Sequence, residues 1–121
     1  MSRASEQAVA EVFFALGDGT RLSVVTKLAH GALSATALSE GAEVTRQAIV
    51  KHLRVLEGAG LVTHAKSGRE VLYALEARRL EQARSFLDRV SSGWDRAIER
   101  LREHVEEPPS SETRSPRRRP R

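Results

Sequence analysis

TRQAIVKHLRVLEGAGLV, residues 45–62, is the stretch on which the reading of this chain turns. Thr45 is a good helix N-cap residue, because its hydroxyl can accept a free N–H of the first turn. Ile49, Leu53 and Leu56 then recur at helical spacing, and Gly60 supplies a stop. At about 100° per residue these three apolar side chains fall within about 60° of one another. Gln47, Lys51 and Arg54 occupy the opposite arc. The segment therefore predicts a basic amphipathic helix over 46–58, with one face for a core and one for a polyanion.

Elements on either side extend this reading. Val9, Val12, Phe13 and Leu16 predict an amphipathic helix over 5–16. Asp18 caps a second helix over 19–30, with Leu22, Val25, Leu28 and Ala29 turned inward and Gly31 at its end. Ser34 caps a short third helix over 35–40, and Gly41 to Val44 connect it to Thr45. A short helix, a glycine turn and a second helix make a helix-turn-helix. After Gly60 the period changes to two: Leu61–Lys66 and Arg69–Leu75 flank Ser67-Gly68 as a β-hairpin, a wing with Lys66 and Arg69 at its tip.

Residues 77–106 return to helix. Leu80, Ala83, Leu87, Val90, Trp94, Ala97 and Leu101 form a heptad-like seam, widened by Ile98 and Val105. So small a domain has too little other apolar surface to cover that length, and a second copy of the chain would cover it. From Pro108 onward Pro, Ser and Arg dominate with no apolar residue, a composition that predicts disorder. The expected architecture is mainly α with a small β-hairpin, a winged helix-turn-helix of about five helices and a two-stranded wing. Residues 1–107 make the DNA-binding and dimerisation domain, and 108–121 an Arg/Pro-rich tail.

Charge is distributed to match. The 121 residues carry a formal net charge of +4. Five Arg against one Glu in 108–121 account for all of it, so the rest of the chain is balanced. Within that balanced body, residues 45–69 hold Arg46, Lys51, Arg54, Lys66 and Arg69 against Glu57 alone. Such a local island, not the global sum, is what attracts phosphate. There is no cysteine, so disulfides and thiolate chemistry are excluded. No apolar run approaches the roughly 20 residues of a membrane span, and the first residues do not read as a signal peptide. The default location is the cytoplasm.

On the exposed arc, Gln47 can be bidentate to adenine, and Arg46 or Arg54 can take guanine or phosphate. Val50 can meet a thymine methyl, and Lys51 suits a base or the backbone. His52, on the flank of the apolar stripe, is either a phosphate donor or a partly buried structural histidine. His30 and His64 stand in no constellation. No cofactor is indicated. The chain also lacks a cysteine nucleophile, a paired-carboxylate signature, a phosphate-cradling glycine loop and a complete metal set, all of which argues against an enzyme.

These features resemble the ArsR/SmtB family of bacterial winged-helix repressors. The matching stretches are FFALGDGTRLSVV (13–25), TALSEGAEVTRQAIVKHLRVLEGAGLV (36–62) and SGREVLYAL (67–75). With the Trp94-containing final helix they span nearly all of residues 5–105. The resemblance implies a homodimer built from the first and last helices, through Val9, Val12, Phe13, Leu80, Leu87, Val90, Trp94, Ile98 and Leu101. It implies DNA contacts at Thr45, Arg46, Gln47, Val50, Lys51 and His52, with the wing at Lys66 to Arg69. Two departures are visible: Gly19 stands where the family commonly has proline, and Val50 where serine is common.

The family's metal sites are not carried over. Ser34-Ala35-Thr36 stands where a Cys-x-Cys pair would, and His104-Val105-Glu106-Glu107 is a lone half of a second site, with Ser91-Ser92-Gly93 in place of its other half. Half a site lacks the four ligands a tetrahedral metal needs. The expected function is thus a dimeric repressor on double-stranded DNA. A winged-helix protein-interaction module is the alternative, and any effector is unspecified by these residues.

Overall fold

The computed structural model describes residues 2–105. In chain order these form α1 (Arg3–Leu16), α2 (Gly19–Leu28), β1 (Leu33–Ser34), α3 (Ala35–Ser39), α4 (Arg46–Gly58), β2 (Val62–Ser67), β3 (Glu70–Leu75) and α5 (Ala77–Val105). The expected tail, 108–121, lies outside the described residues. The five expected helices are present. Helix α1 starts two residues earlier than expected because Ser2, not a later residue, is its N-cap, accepting the Ser5 N–H at 3.0 Å.

The wing differs from expectation in two respects. It is a three-stranded antiparallel sheet in the order β1-β3-β2, not a two-stranded hairpin. Leu33 pairs with Tyr73 and Ser34 with Leu72, so the residues just before α3 tie the helix-turn-helix to the hairpin. Two residues are too few to show a period, which is why the strand is invisible in the sequence. The turn is also displaced by one position. Ser67 pairs with Glu70, which leaves Gly68-Arg69 as the two-residue loop. Gly68 takes a φ of 64°, as the primed turns of such loops require at their first position.

Helix α4 ends in a Schellman motif. The Gly60 N–H bonds the Glu57 carbonyl at 2.9 Å and the Leu61 N–H bonds the Leu56 carbonyl at 3.0 Å. Gly60 is left-handed, with a φ of 78°, and a Cβ there would come within 2.9 Å of the Arg79 Cγ. Leu56 and Leu61 are both fully buried, the apolar contact that accompanies this cap. The motif reverses the chain so that β2 leaves directly from the end of α4.

Residues up to Phe86 form one compact unit and the described residues from Leu87 a second. The core of the first unit gathers Val12 and Ala15 from α1, Val24 and Leu28 from α2, and Ala35 and Leu38 from α3. It also takes Ile49, Leu53 and Leu56 from α4, Leu61 and Val62 from the start of the wing, and Ala83 from α5. Val12 is fully buried here and Val9 is 3% exposed, both covered by their own chain. This corrects the expectation that they face a second copy: neither has surface left to offer one. Phe13 and Leu80 are half-buried against the same core, with the Phe13 ring 6.1 Å from that of Phe86.

The second unit consists of the rest of α5. Leu87, Val90, Trp94, Ile98 and Leu101 are all exposed on it, Trp94 at 65%. No helix among the described residues is long and apolar enough to cross a membrane.

Candidate nucleic-acid interface

The exposed face of α4 is set by its buried one. Ile49, Leu53 and Leu56 are at most 1% exposed, and their burial fixes the rotation of the helix about its axis. Gln47, Lys51 and Arg54 consequently stand in solvent on the opposite side. Thr45 has the extended backbone of an N-cap, and its Oγ1 accepts the Ala48 N–H at 3.0 Å. Its hydroxyl is therefore engaged in holding the helix start. The remaining free N–H groups of that turn favour an anion.

Arg46 is exposed, and its Nε donates to the Thr36 Oγ1 at 3.1 Å. The bond steers the guanidinium towards α3, so Arg46 bridges the two helices of the helix-turn-helix. Val50 is half-buried and packs against the core, leaving only part of its side chain to meet a base. It also forms one wall of a groove of about 350 Å³ between the start of α4 and the sheet, which Arg46, Arg69, Glu70 and Tyr73 also line. Lys66 on β2 and Arg69 in the loop are exposed, so the wing presents two cations beyond the helix.

His52 lies on the other flank and is turned towards α2. Its Nδ1 is 3.3 Å from an Nη of Arg21 and 3.8 Å from the Asp18 Oδ2, and the side chain is 22% exposed. The ring is therefore half-buried and held through Nδ1 in a polar network. Asp18 caps α2 by accepting the Arg21 N–H at 3.0 Å. That bond holds its carboxyl below the ordinary value of 3.8, opposed by partial desolvation and assisted by the positive charge of Arg21.

Two participants carry little sign of their role in the sequence. Arg21 donates to the carbonyls of Ala15 and Phe14 and lies 5.8 Å from the centre of the Phe14 ring. The Asp18–Arg21 spacing of three residues is the one available signal. His64, solitary in the sequence, is paired with Glu57 of α4, and its ring lies 5.6 Å from that of Tyr73. The pair fastens β2 to the last turn of α4. Sequence spacing cannot show it, because Schellman reversal is what brings residues seven apart together.

The residues at the family's metal positions do not fit a metal. The Ser34 Oγ accepts the Ala37 N–H at 3.1 Å and the Thr36 Oγ1 accepts from Arg46, so both oxygens are committed to protein donors. Among the described residues no three His, Cys, Asp or Glu side chains are grouped to hold an ion. Glu106 and Glu107 lie outside the described residues.

A helix-turn-helix domain family model matches residues 16–65, which runs from the end of α1 into β2. The chain is 40% identical over 84 residues to the HTH-type transcriptional regulator Rv2034 of Mycobacterium tuberculosis, covering 69% of this chain and 76% of that protein. The structure superposes on an ArsR-like transcriptional regulator from Rhodococcus sp. RHA1 with a TM-score of 0.75 at 36% identity, over 85% of this chain and 97% of the other. It also matches the homodimeric winged helix-turn-helix DNA-binding domain of Mb0332 from Mycobacterium bovis, a possible ArsR-family regulator. There the TM-score is 0.60 at 25% identity, over 88% of this chain and 96% of that one. With the winged fold and the basic helix already described, these likenesses show that the chain belongs to the ArsR/SmtB family of winged helix-turn-helix transcriptional regulators.

Proposed function

We propose that this protein is a homodimeric transcriptional repressor that binds a pseudo-palindromic operator in the cytoplasm. Each α4 would enter a major groove and each wing would lie along the flanking backbone. The observation that carries this is the presentation of Gln47, Lys51 and Arg54 in solvent, opposite a stripe that is at most 1% exposed. A helix so fixed cannot rotate its basic face away, and one α-helix fits the major groove. Two such helices related by a two-fold axis read half-sites about 34 Å apart.

The dimer is supported by the exposed seam Leu87, Val90, Trp94, Ile98 and Leu101 and by the homodimeric state of the Mb0332 domain. Residues 1–107 would be the reading and dimerisation domain. The five arginines of 108–121 would add sequence-independent attraction to phosphate. Repression would follow from occupying a promoter.

Fluorescence anisotropy against the protein's own upstream DNA tests the reading. Wild-type protein should prefer one fragment over random duplex by about 10³-fold or more. The double substitution Lys51→Ala, Arg54→Ala should remove most of that preference and flatten the salt dependence. Equal binding to both DNAs would leave a winged-helix module with no sequence-specific role.

A further inference from the structure

Arg21 joins three helices. Its Nε and one Nη donate to the Ala15 and Phe14 carbonyls in the last turn of α1, where the Phe14 carbonyl also accepts the Gly17 N–H. Its other Nη lies 3.3 Å from His52 Nδ1 on α4. A guanidinium offers donors only, so the imidazole nitrogen facing it must accept. An accepting Nδ1 makes His52 neutral, with its proton on Nε2. A ring with hydrogen on Nδ1 would have to turn instead to the Asp18 Oδ2, 3.8 Å away.

We propose that Arg21 is a positioning residue for DNA reading: it locks His52 in the Nε2–H form and aims that N–H at a backbone phosphate beside α4. The proposal rests on α4 being the recognition helix and adds a contact on its flank that is set from α2. His52 then serves as an oriented neutral donor on a half-buried ring. The same bonds tie the recognition helix to the end of α1, so the donor's position follows that of α1.

The ring nitrogens can be read without DNA. Two-bond ¹H–¹⁵N spectra of the full chain should show the Nε2–H pattern for His52 in wild type and a mixture of both tautomers in Arg21→Ala. Arg21→Lys, which keeps a donor, should restore the wild-type pattern. On operator DNA, His52→Phe and Arg21→Ala should each weaken binding about 10- to 150-fold, the range of a hydrogen bond to a charged acceptor. The double variant should lose little more than either alone, because the two act as one unit.

A wild-type ring protonated on Nδ1, or losses that multiply in the double variant, would overturn the proposal. Should Arg21→Ala fail to fold, the wild-type and Arg21→Lys spectra with the His52→Phe titration decide it. Wild-type protein that ignores the operator sinks the recognition-helix reading and the phosphate contact together, while the tautomer still reports whether Arg21 holds the ring.

Discussion

Helices α4 and α5 carry the same kind of apolar stripe and meet opposite fates. In α4, Ile49, Leu53 and Leu56 are covered almost completely by their own chain. In α5 beyond Phe86, Leu87, Trp94 and Leu101 remain more than half exposed. Periodicity tells where a helix will be apolar, but not who covers it. Short connections bring α1, α2, α3 and β2 around α4, whereas α5 runs on as 29 residues of uninterrupted helix. Single surface leucines are ordinary, but five large apolar side chains on one helical face mark an interaction surface.

The largest effect should come from breaking the covered stripe. Leu53→Ala removes a fully buried side chain at the centre of the core and should cost about 2–5 kcal/mol. Thermal or urea unfolding should show most of the protein's stability gone and specific DNA binding lost with it. Trp94→Glu attacks the uncovered stripe instead. The protomer's own core should stay intact, while sedimentation shows a dimer weakened by about 30-fold or more, as for an interface hot spot. A Trp94→Glu protein that unfolds as Leu53→Ala does would remove the distinction between the two stripes.

Glycine sharpens the comparison at smaller scale. Gly60 ends α4 in a left-handed conformation pressed against Arg79, so Gly60→Ala should destabilise by about 1–2 kcal/mol. Gly93 sits inside α5 with nothing within 4 Å of where a Cβ would stand, and Gly93→Ala should stabilise by about 0.5–1 kcal/mol. Paired melting curves check the opposite signs. Destabilisation by Gly93→Ala would show that a second copy packs directly on that position.

Much of this molecule is legible in its sequence because α2, α3 and α4 carry their own N-caps. Ser34, Thr45 and Asp18 cap through the side chains that the sequence displays, and the α4 stripe is buried where its spacing says. Strand β1 is not legible, because its pairing with Tyr73 and Leu72 is long-range and its length too short for a pattern. Val9 and Val12 read as outward because an amphipathic helix shows one apolar face, and spacing does not say whether that face meets its own domain or a copy. The basic face is visible as composition. The network of Arg21, His52 and Asp18 is not, since it depends on how α2 crosses α4.

The smallest effect is expected at Asp18, and its sign is set by the cap. The backbone N–H of Arg21 bonds the carboxylate and holds its titration below 3.8 in the folded chain. A group whose folded value is depressed binds its proton more readily when unfolded, so its stabilising contribution is present above the unfolded value. The contribution fades as pH falls through the folded value. Asn also caps helices well, so Asp18→Asn should leave α2 formed while removing the charge. Wild type should therefore melt above the variant at neutral pH, and the gap should close below about pH 4. A gap that holds constant from neutral to acid pH would mean that Asp18 acts through shape alone, and that its charge contributes nothing to the junction between α2 and the recognition helix.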